Sequence, residues 1–239
     1  LPLEWSDKKN VEWKVAVPGL GWSNPVVHSG CIYLTTAVSD GEIEKRKPGL
    51  YFGGDRKEPI KHMHHFLVLC LELKTGDFLW QKEVLAIRPL TPIHVKNSYA
   101  AETPVTDGDR VYAYFGSHGL YCLDKTGKVL WKKMFKPYKM RNGWGTAASP
   151  VLDEGKLIIV NDNMEDSWAA AYDKVTGREL WKTKRDEPSN WSTPYVWHHD
   201  GIKELVLTGR NRTRSYDLSG KELWNLKWKT RTSIVIPTP

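Results

Sequence analysis

A short motif recurs four times along the chain and constrains its fold more than any other feature of the sequence. Each copy has a small residue, an aromatic residue or leucine, an acid, a Thr-Gly or Ser-Gly pair and a closing Leu-Trp. The closing tryptophans, Trp80, Trp131, Trp181 and Trp224, are 51, 50 and 43 residues apart. A proline that opens an apolar run recurs independently at Pro25, Pro104, Pro150 and Pro194, with later spacings of 46 and 44 residues. Two landmarks with a period near 45 predict an array of equivalent units.

The third unit shows what one repeat contains. Its sequence predicts four short strands: Ser149–Leu152, Lys156–Asn161, Trp168–Asp173 and Arg178–Lys182. Turn residues separate these strands, and none of the segments has a helical period. Four antiparallel strands in about 45 residues, repeated, are typical of β-propeller blades. The predicted fold is therefore all-β, with four four-stranded antiparallel blades.

The residues of the motif have structural roles in such a blade. Glycine supplies the positive φ that the last hairpin needs, and the tryptophan on the outermost strand is large enough to cover the next blade. The predicted repeat signature comprises Gly76, Gly127, Gly177 and Gly220 together with Trp80, Trp131, Trp181 and Trp224. Cys70 and Cys122 occupy the small-residue position, so we interpret them as packing residues without a catalytic role.

The first unit contains an insertion at about residues 39–64, between its second and third strands. The segment is rich in Gly, Lys, Arg and Glu, and loops of this length are usually functional or disordered. His62, His64 and His65 close it, but no cysteine or acid pattern accompanies them, so we expect no metal site.

Partial strands flank the four predicted units. Val11–Val17, with Trp13, fits a lone outermost strand, and Ile234–Pro239 fits the first strand of a further unit. A ring of seven or eight blades needs roughly 315–360 residues, and the chain has 239. We therefore expect residues 1–239 to be a single, incomplete propeller domain. It would be a fragment of a longer protein or a ring completed by self-association through open blade edges.

The charge of the chain is uneven, and its second half carries the whole formal net charge of +7. Arg210, Arg212 and Arg214 alternate and would share one face of a strand. No nucleic-acid-binding motif accompanies them, so nucleic acid is not an expected partner. No apolar run is long enough to span a membrane, and the first residues do not resemble a signal peptide.

The third copy of the motif, from Ala171 through Asp173, Thr176 and Gly177 to Trp181, resembles the repeat of the pyrroloquinoline-quinone (PQQ)-type β-propellers. The resemblance covers roughly residues 11–239 and implies a periplasmic or secreted bacterial location. The family includes quinone-dependent alcohol and sugar dehydrogenases, non-enzymatic scaffolds of outer-membrane barrel assembly, and uncharacterised secreted proteins. The opening residues of this chain are most similar to the last group.

The features that the dehydrogenases use are missing from the sequence. There is no adjacent cysteine pair, no CxxCH haem motif and no set of acids around Glu102 that identifies a Ca²⁺ site. We therefore expect a binding or scaffold module without catalytic residues, cofactor or metal. The alternative is an oxidoreductase that uses PQQ and Ca²⁺.

The loops before the innermost strands gather at one mouth of a propeller channel, where ligands usually bind. Each of these loops offers an aromatic residue with Asn or Glu nearby. The candidate residues for a protein partner or small ligand are Trp22, Asn24, Tyr99, Glu102, Asn142, Trp144, Asn190 and Trp191. The alternative interpretation is that Trp22, Trp144 and Trp191 only plug the channel.

Overall fold

The computed structural model describes residues 2–46, 49, 55–228, 235, 236 and 238. It contains four separate four-stranded antiparallel sheets, each formed by strands consecutive in sequence. Blade 1 contains β1 (Val26–His28), β2 (Cys31–Ser39), β3 (His64–Glu72) and β4 (Phe78–Ile87). Blade 2 contains β5 (Val105–Thr106), β6 (Arg110–Tyr114), β7 (Leu120–Asp124) and β8 (Val129–Lys133). The predicted all-β blade architecture is confirmed.

The remaining two sheets repeat the same order. Blade 3 contains β9 (Val151–Asp153), β10 (Lys156–Asn161), β11 (Ser167–Asp173) and β12 (Glu179–Arg185). Blade 4 contains β13 (Tyr195–His199), β14 (Ile202–Thr208), β15 (Arg212–Tyr216) and β16 (Glu222–Lys227). The helical elements assigned in the described residues are two 3₁₀ turns, Gly116–His118 and Arg141–Gly143. None of the described helices is long and apolar enough to cross a membrane.

The last hairpin of each blade has the predicted turn chemistry. In blade 3, Asp173 Oδ1 accepts hydrogen bonds from the backbone N–H groups of Val175 (3.0 Å) and Thr176 (2.7 Å). Gly177 follows with φ of 70°, which a residue with a Cβ adopts only with strain. Beside each hairpin the outermost strand carries a bulge, which disrupts the exposed strand edge locally.

The hydrophobic core lies between blades rather than within one. The face that each blade turns toward the next blade along the chain is its forward face. The forward face of blade 1, with Tyr33 and Cys70, packs against Val111 and Leu123 of blade 2. Equivalent clusters join blades 2 and 3 and blades 3 and 4, so every internal interface excludes water from both sheets.

The repeated tryptophans tie each blade to the hairpin of its successor. A Cβ on Gly177 would lie 2.8 Å from the Trp131 ring, so only glycine permits this approach. The same contact joins Trp80 to Gly127 and Trp181 to Gly220. The indole N–H groups of Trp80, Trp131 and Trp181 donate to hairpin carbonyls at 2.9, 3.2 and 3.0 Å. Each of these three tryptophans thus packs against the hairpin of the next blade.

The predicted strand at Val11–Val17 is wrong, because the structure assigns no strand to these residues. An outermost strand needs a neighbouring strand to satisfy its backbone groups, and none pairs with this segment. Trp13 nevertheless behaves like a blade tryptophan: it packs over Gly76 and donates to the Leu73 carbonyl at 3.1 Å. Of the predicted segment Ile234–Pro239, residues 234, 237 and 239 lie outside the described residues.

The innermost strands β1, β5, β9 and β13 contact one another in series. No comparable contact joins β13 back to β1 in the part of the chain that the structure describes. Blade 4 consequently leaves large apolar side chains of its forward face exposed, among them Tyr195, Trp197 and Leu226.

Candidate functional site

Trp144 and Trp191, two of the residues predicted to lie at the channel mouth, pack against each other. Their ring centroids are 5.6 Å apart with the planes tilted by 38°. The Trp191 indole N–H donates to the Gly145 carbonyl at 2.7 Å, and the ring is buried. These two candidate residues therefore pack on each other, as the plug interpretation expects.

Trp22 is half exposed, and the insertion of blade 1 lies over it. The Arg46 guanidinium is 4.3 Å from the centroid of the Trp22 ring, within cation–π distance. Arg46 also donates to the Asn97 carbonyl at 3.0 Å. The other side of the insertion reaches Trp144, because Asp55 Oδ1 accepts the Trp144 indole N–H at 2.6 Å. The insertion thus contacts two of the three mouth tryptophans.

Tyr99 belongs to a buried aromatic group and does not face an open site. His118 and His64 approach its ring edge-on at 5.3 and 5.0 Å. Burial lowers the pKa of His118 to about 4, and the ring is neutral because its Nε2 accepts the Leu90 N–H at 3.0 Å. Burial raises the pKa of Tyr99 to about 12. Tyr99 therefore contributes to the packing of this buried group.

Glu102 and Asn190 are buried and keep unpartnered oxygens. Glu102 Oε1 and Asn190 Oδ1 make no hydrogen bond to the described residues. Burial raises the pKa of Glu102 to about 7, although a hydrogen bond with Thr146 acts in the opposite direction. A cavity of about 10 Å³ lies beside Asn190 and Thr146. That volume holds a single water molecule.

The remaining candidates, Asn24 and Asn142, are exposed. The backbone N–H of Asn24 donates to Thr103 Oγ1 at 3.0 Å. Asn142 lies in the second 3₁₀ turn with a left-handed φ of 52°, a conformation that asparagine tolerates better than most residues. The eight candidates thus form four groups: two tryptophans packed on each other, one tryptophan covered by an arginine, three buried residues and two exposed asparagines. In this order they are Trp144 and Trp191; Trp22; Tyr99, Glu102 and Asn190; and Asn24 and Asn142.

These residues do not fit a bound quinone with Ca²⁺. A flat ring between two indoles needs about 7 Å from centroid to centroid, whereas Trp144 and Trp191 are 5.6 Å apart. The cavity beside Asn190 and Thr146 is far smaller than a tricyclic quinone. No group of three His, Cys, Asp or Glu side chains in the described part of the chain has the geometry to hold a metal ion.

An open groove runs beside the packed tryptophans. This mouth groove has a volume of about 660 Å³, within the range of ligand-binding sites. Its walls come from residues 55–57 of the insertion, residues 90–92 between β4 and β5, residues 137–140, 142 and 143 between β8 and β9, and Glu165. Asn142 is the candidate residue that lines it.

The alternating arginines are not an exposed basic face. Arg214 is buried and ion-paired with Asp186, with Glu187 at 3.7 Å and Glu222 at 3.6 Å. Arg212 pairs with Asp186 at 3.5 Å. These acids offset charge that the sequence places in one strand, which is why net charge alone misrepresents this surface.

Sequence reasoning missed a buried ion pair within blade 3 that also contacts blade 4. Arg185 makes a bidentate contact with Asp162 at 2.7 and 3.0 Å and donates to the Tyr216 hydroxyl at 2.8 Å. Burial opposes its charge, but Asp162 outweighs burial and the pKa of Arg185 is raised. Residues 23 positions apart gave no local signal for this pairing.

The histidines beside the insertion have separate environments. His64 joins the buried aromatic group, and burial lowers its pKa. His65 lies between two carboxylates, with Nδ1 2.7 Å from Glu83 and Nε2 3.0 Å from Asp40. The hydrogen bond with Glu83 is the main reason that the pKa of His65 is raised. His65 therefore fastens the start of the insertion to β4.

A protein-family model described as "Outer membrane protein assembly factor BamB" matches residues 64–235. The outer membrane protein assembly factor BamB of Burkholderia pseudomallei is 25% identical over 205 residues. This match covers 77% of the chain and 50% of the relative. The chain therefore spans about half the length of this curated relative.

Solved structures agree on the fold. A quinohemoprotein alcohol dehydrogenase from Pseudomonas putida HK5 superposes with a TM-score of 0.55 at 14% identity, covering 90% of this chain and 35% of that one. The quinohemoprotein alcohol dehydrogenase of Comamonas testosteroni gives 0.53 at 16% identity, covering 88% and 35%. At such identities the likeness establishes the PQQ-type propeller fold alone.

Proposed function

Since the chain belongs to the family of the outer membrane protein assembly factor BamB, we propose that it is a non-catalytic protein-interaction module. Its setting is the periplasm, in the context of outer-membrane protein assembly. The proposal rests on the family and on the form of the mouth. Fold alone would not distinguish a scaffold from a dehydrogenase.

The observation that carries the proposal is the closed channel mouth. Trp144 and Trp191 fill the centre by packing on each other, while Arg46 and Asp55 of the insertion cover its sides. Side chains packed in this way leave no space for a flat cofactor between Trp144 and Trp191, and the groove beside them opens onto a surface that a macromolecule can contact. Surface loops on a rigid β scaffold commonly carry protein recognition.

Site-specific crosslinking in the envelope of the source bacterium tests the proposal. Benzoylphenylalanine replaces Trp22, whose half-exposed ring it resembles, or Leu180 on the outer strand β12 as a control. We expect ultraviolet light to link position 22, and not position 180, to a component of outer-membrane protein assembly identified by mass spectrometry. Equal crosslinking at both positions, or none at position 22, would contradict the proposal.

The alternative function is a PQQ- and Ca²⁺-dependent oxidoreductase. The unpartnered oxygen of buried Glu102 favours it, because an orphaned carboxylate oxygen is a potential metal ligand. Dye-linked alcohol oxidation after incubation with PQQ and Ca²⁺ distinguishes the two functions. Turnover that Glu102→Gln abolishes would establish the enzyme.

We also propose that the four blades form part of a larger ring of seven or eight blades. The exposed aromatic side chains on the forward face of blade 4 support this, since every other forward face is covered. Sedimentation velocity at increasing protein concentration tests it, and we expect association that Trp197→Ser weakens. A monomeric structure with a closed four-bladed ring would refute it.

A further inference from the structure

We propose that Cys31 and Cys70 form a disulfide bond when the chain is in an oxidising compartment. Both residues are free thiols in this structure. The periplasm proposed above is a compartment in which disulfides form and persist. The inference goes beyond the proposed function, and it rests on the geometry of strands β2 and β3 in blade 1.

The two thiols lie on the same face of blade 1. In the register of β2 with β3, Tyr33 is opposite Cys70 and Cys31 is opposite Glu72. Cys31 is two residues before Tyr33, so its side chain points to the same face as that of Cys70. Cys70 belongs to the core cluster between blades 1 and 2, and Cys31 packs against that cluster. The two cysteines thus form a diagonal pair across neighbouring strands.

Blade 4 shows that this diagonal brings side chains into contact. Val206 is opposite Ser215 in that blade. Glu204 lies two residues before Val206 and so takes the position that Cys31 has in blade 1. The Ser215 hydroxyl donates a hydrogen bond to the Glu204 carboxylate at 2.5 Å. In blade 1 the same diagonal has a thiol at each of its two positions.

The environment of Cys70 shows that the two thiols are close neighbours. Burial raises the pKa of Cys70 to about 12, and the charge of Cys31 and a hydrogen bond with its thiol act in the same direction. A thiol is only a weak hydrogen-bond donor and acceptor, so this contact requires the two sulfur atoms to lie side by side. Formation of the bond therefore needs a local adjustment of two side chains.

Blade 2 supplies a matched contrast. Cys122 is opposite Tyr112, but the diagonal position next to it is occupied by Arg110. Burial raises the pKa of Cys122 to about 12, and the Arg110 guanidinium acts in the opposite direction. Cys122 is as well buried as Cys70. It has a charged neighbour where Cys70 has a thiol, so it should stay reduced.

The reaction is a thiol–disulfide exchange with an organic disulfide, such as oxidised glutathione, as the oxidant. Cys31 is partly exposed, so its thiolate attacks the oxidant first and releases one thiolate, which takes up the proton that Cys31 lost. The deprotonated Cys70 sulfur then attacks Cys31 Sγ in the mixed disulfide, and the second thiolate leaves with the proton from Cys70. Two electrons pass from the cysteines to the oxidant, which becomes two thiols.

The bond would stabilise the part of the chain that contains the insertion. Cys31 and Cys70 are 39 positions apart, and the insertion lies between them. A disulfide across such a segment restricts the unfolded chain and so favours the folded one. We therefore expect the oxidised chain to melt at a higher temperature than the reduced chain.

Mass spectrometry of the full chain tests the inference. The reduced, folded chain is incubated with oxidised glutathione and quenched with acid, and the remaining thiols are blocked with maleimide in denaturant. We expect a tryptic digest to link the peptides of Cys31 and Cys70 and to carry the maleimide on Cys122. The internal disulfide should exceed the glutathione adduct at Cys31 by about tenfold or more. The melting temperature should rise by about 5 °C or more.

Two variants separate this bond from other effects of the oxidant. Cys122→Ser should still form the bond and show the same rise in melting temperature. Cys31→Ser, which removes the partly exposed thiol, should keep Cys70 reduced and show no rise. In the wild-type chain, a glutathione adduct at Cys31 with Cys70 still reduced would overturn the inference, as would a link from either cysteine to Cys122. Neither outcome bears on crosslinking at position 22, so the proposed function and this inference fail separately.

Discussion

The forward faces of blades 1 to 3 are covered by the next blade, whereas no described blade covers that of blade 4, and the residues at equivalent positions differ accordingly. In blades 1 to 3 the central pair on this face is Tyr33 with Cys70, Tyr112 with Cys122, and Ile158 with Ala171. In blade 4 it is Val206 with Ser215. The hydroxyl lies on the face that no described blade covers. Position in the array, and not the repeat alone, decides how apolar a blade face is.

The tryptophans show the same difference. In the first three blades the indole N–H donates to a carbonyl of the following hairpin. Trp224 instead donates to Glu204 of its own blade at 2.6 Å, and Ser215 donates to the same oxygen at 2.5 Å. Glu204 thus takes the place of the hairpin carbonyl that the following blade supplies to the tryptophans of blades 1 to 3. The indole N–H of Trp224 therefore remains hydrogen-bonded.

Removing a tryptophan from each kind of face should give the largest effect. Trp181→Ala deletes a ring packed over Gly220 and should lower the free energy of unfolding by about 3 kcal/mol. Trp224→Ala deletes a ring on the open face and should cost about 1 kcal/mol, mainly for its hydrogen bond. Urea denaturation of both variants measures the difference. Equal losses would mean that the two faces are equally covered.

The contributions of Glu102 and of Glu204 to the free energy of unfolding should change with pH in opposite directions. Because burial raises the pKa of Glu102 from 4.5 to about 7, the folded state holds its proton more tightly than the unfolded state does. Stability should then fall as pH rises from about 4.5 to about 7, by about 3 kcal/mol in total. Urea denaturation across this range measures the slope, and Glu102→Gln should remove it.

Glu204 provides the matched control for that prediction. The Ser215 hydroxyl and the Trp224 indole N–H hold the pKa of Glu204 below its usual range. Its contribution is therefore present at neutral pH and should disappear as pH falls below about 4. Glu204→Gln should leave the slope between pH 4.5 and pH 7 intact. A slope lost in Glu204→Gln and kept in Glu102→Gln would show that the assignment is reversed.

A glycine under a tryptophan should tolerate alanine less well than a glycine in the open. Gly177 (φ 70°) lies under Trp131, whereas Gly201 (φ 74°) has no atom within 4 Å of the position a Cβ would take. Both substitutions incur the backbone strain of positive φ, about 1 kcal/mol. Gly177→Ala should cost about 1 kcal/mol more because the indole must move. Thermal denaturation of the two variants measures the contribution of the contact between Gly177 and Trp131 as the difference between their losses of stability. Equal losses would show that this contact adds nothing to the cost.

The repeat explains how much of this fold could be predicted from sequence. The spacing of Trp80, Trp131 and Trp181, with glycine in each hairpin, predicted four blades and the contacts between them, because equivalent units in an array repeat the same contact with their neighbours. The prediction of a strand at Val11–Val17 was wrong, because the alternating pattern of this segment is strand-like but no neighbouring strand pairs with it. The pattern of residues in a segment indicates the conformation that the segment favours, whereas strand formation also requires a neighbouring strand to pair with it.

The site was predicted less completely. Trp144 and Trp191, from two of the candidate loops, pack against each other, whereas the assignment of these loops to a binding site stays a prediction. Sequence could not show that Arg46 and Asp55 cover the mouth, because a long insertion has no period that fixes where it lies. It could not show the pairing of Arg214 with Asp186 either, since that contact joins residues 28 positions apart.

Equilibrium dialysis against PQQ and Ca²⁺ tests the central claim, a channel mouth closed by its own side chains, most directly. The wild-type chain and a Trp144→Gly variant, which opens the space beside Trp191, are dialysed side by side, and retained quinone is measured by its absorbance. We expect the wild-type chain to retain no quinone above the protein-free control at any concentration. Saturable retention of one quinone per wild-type chain would contradict it.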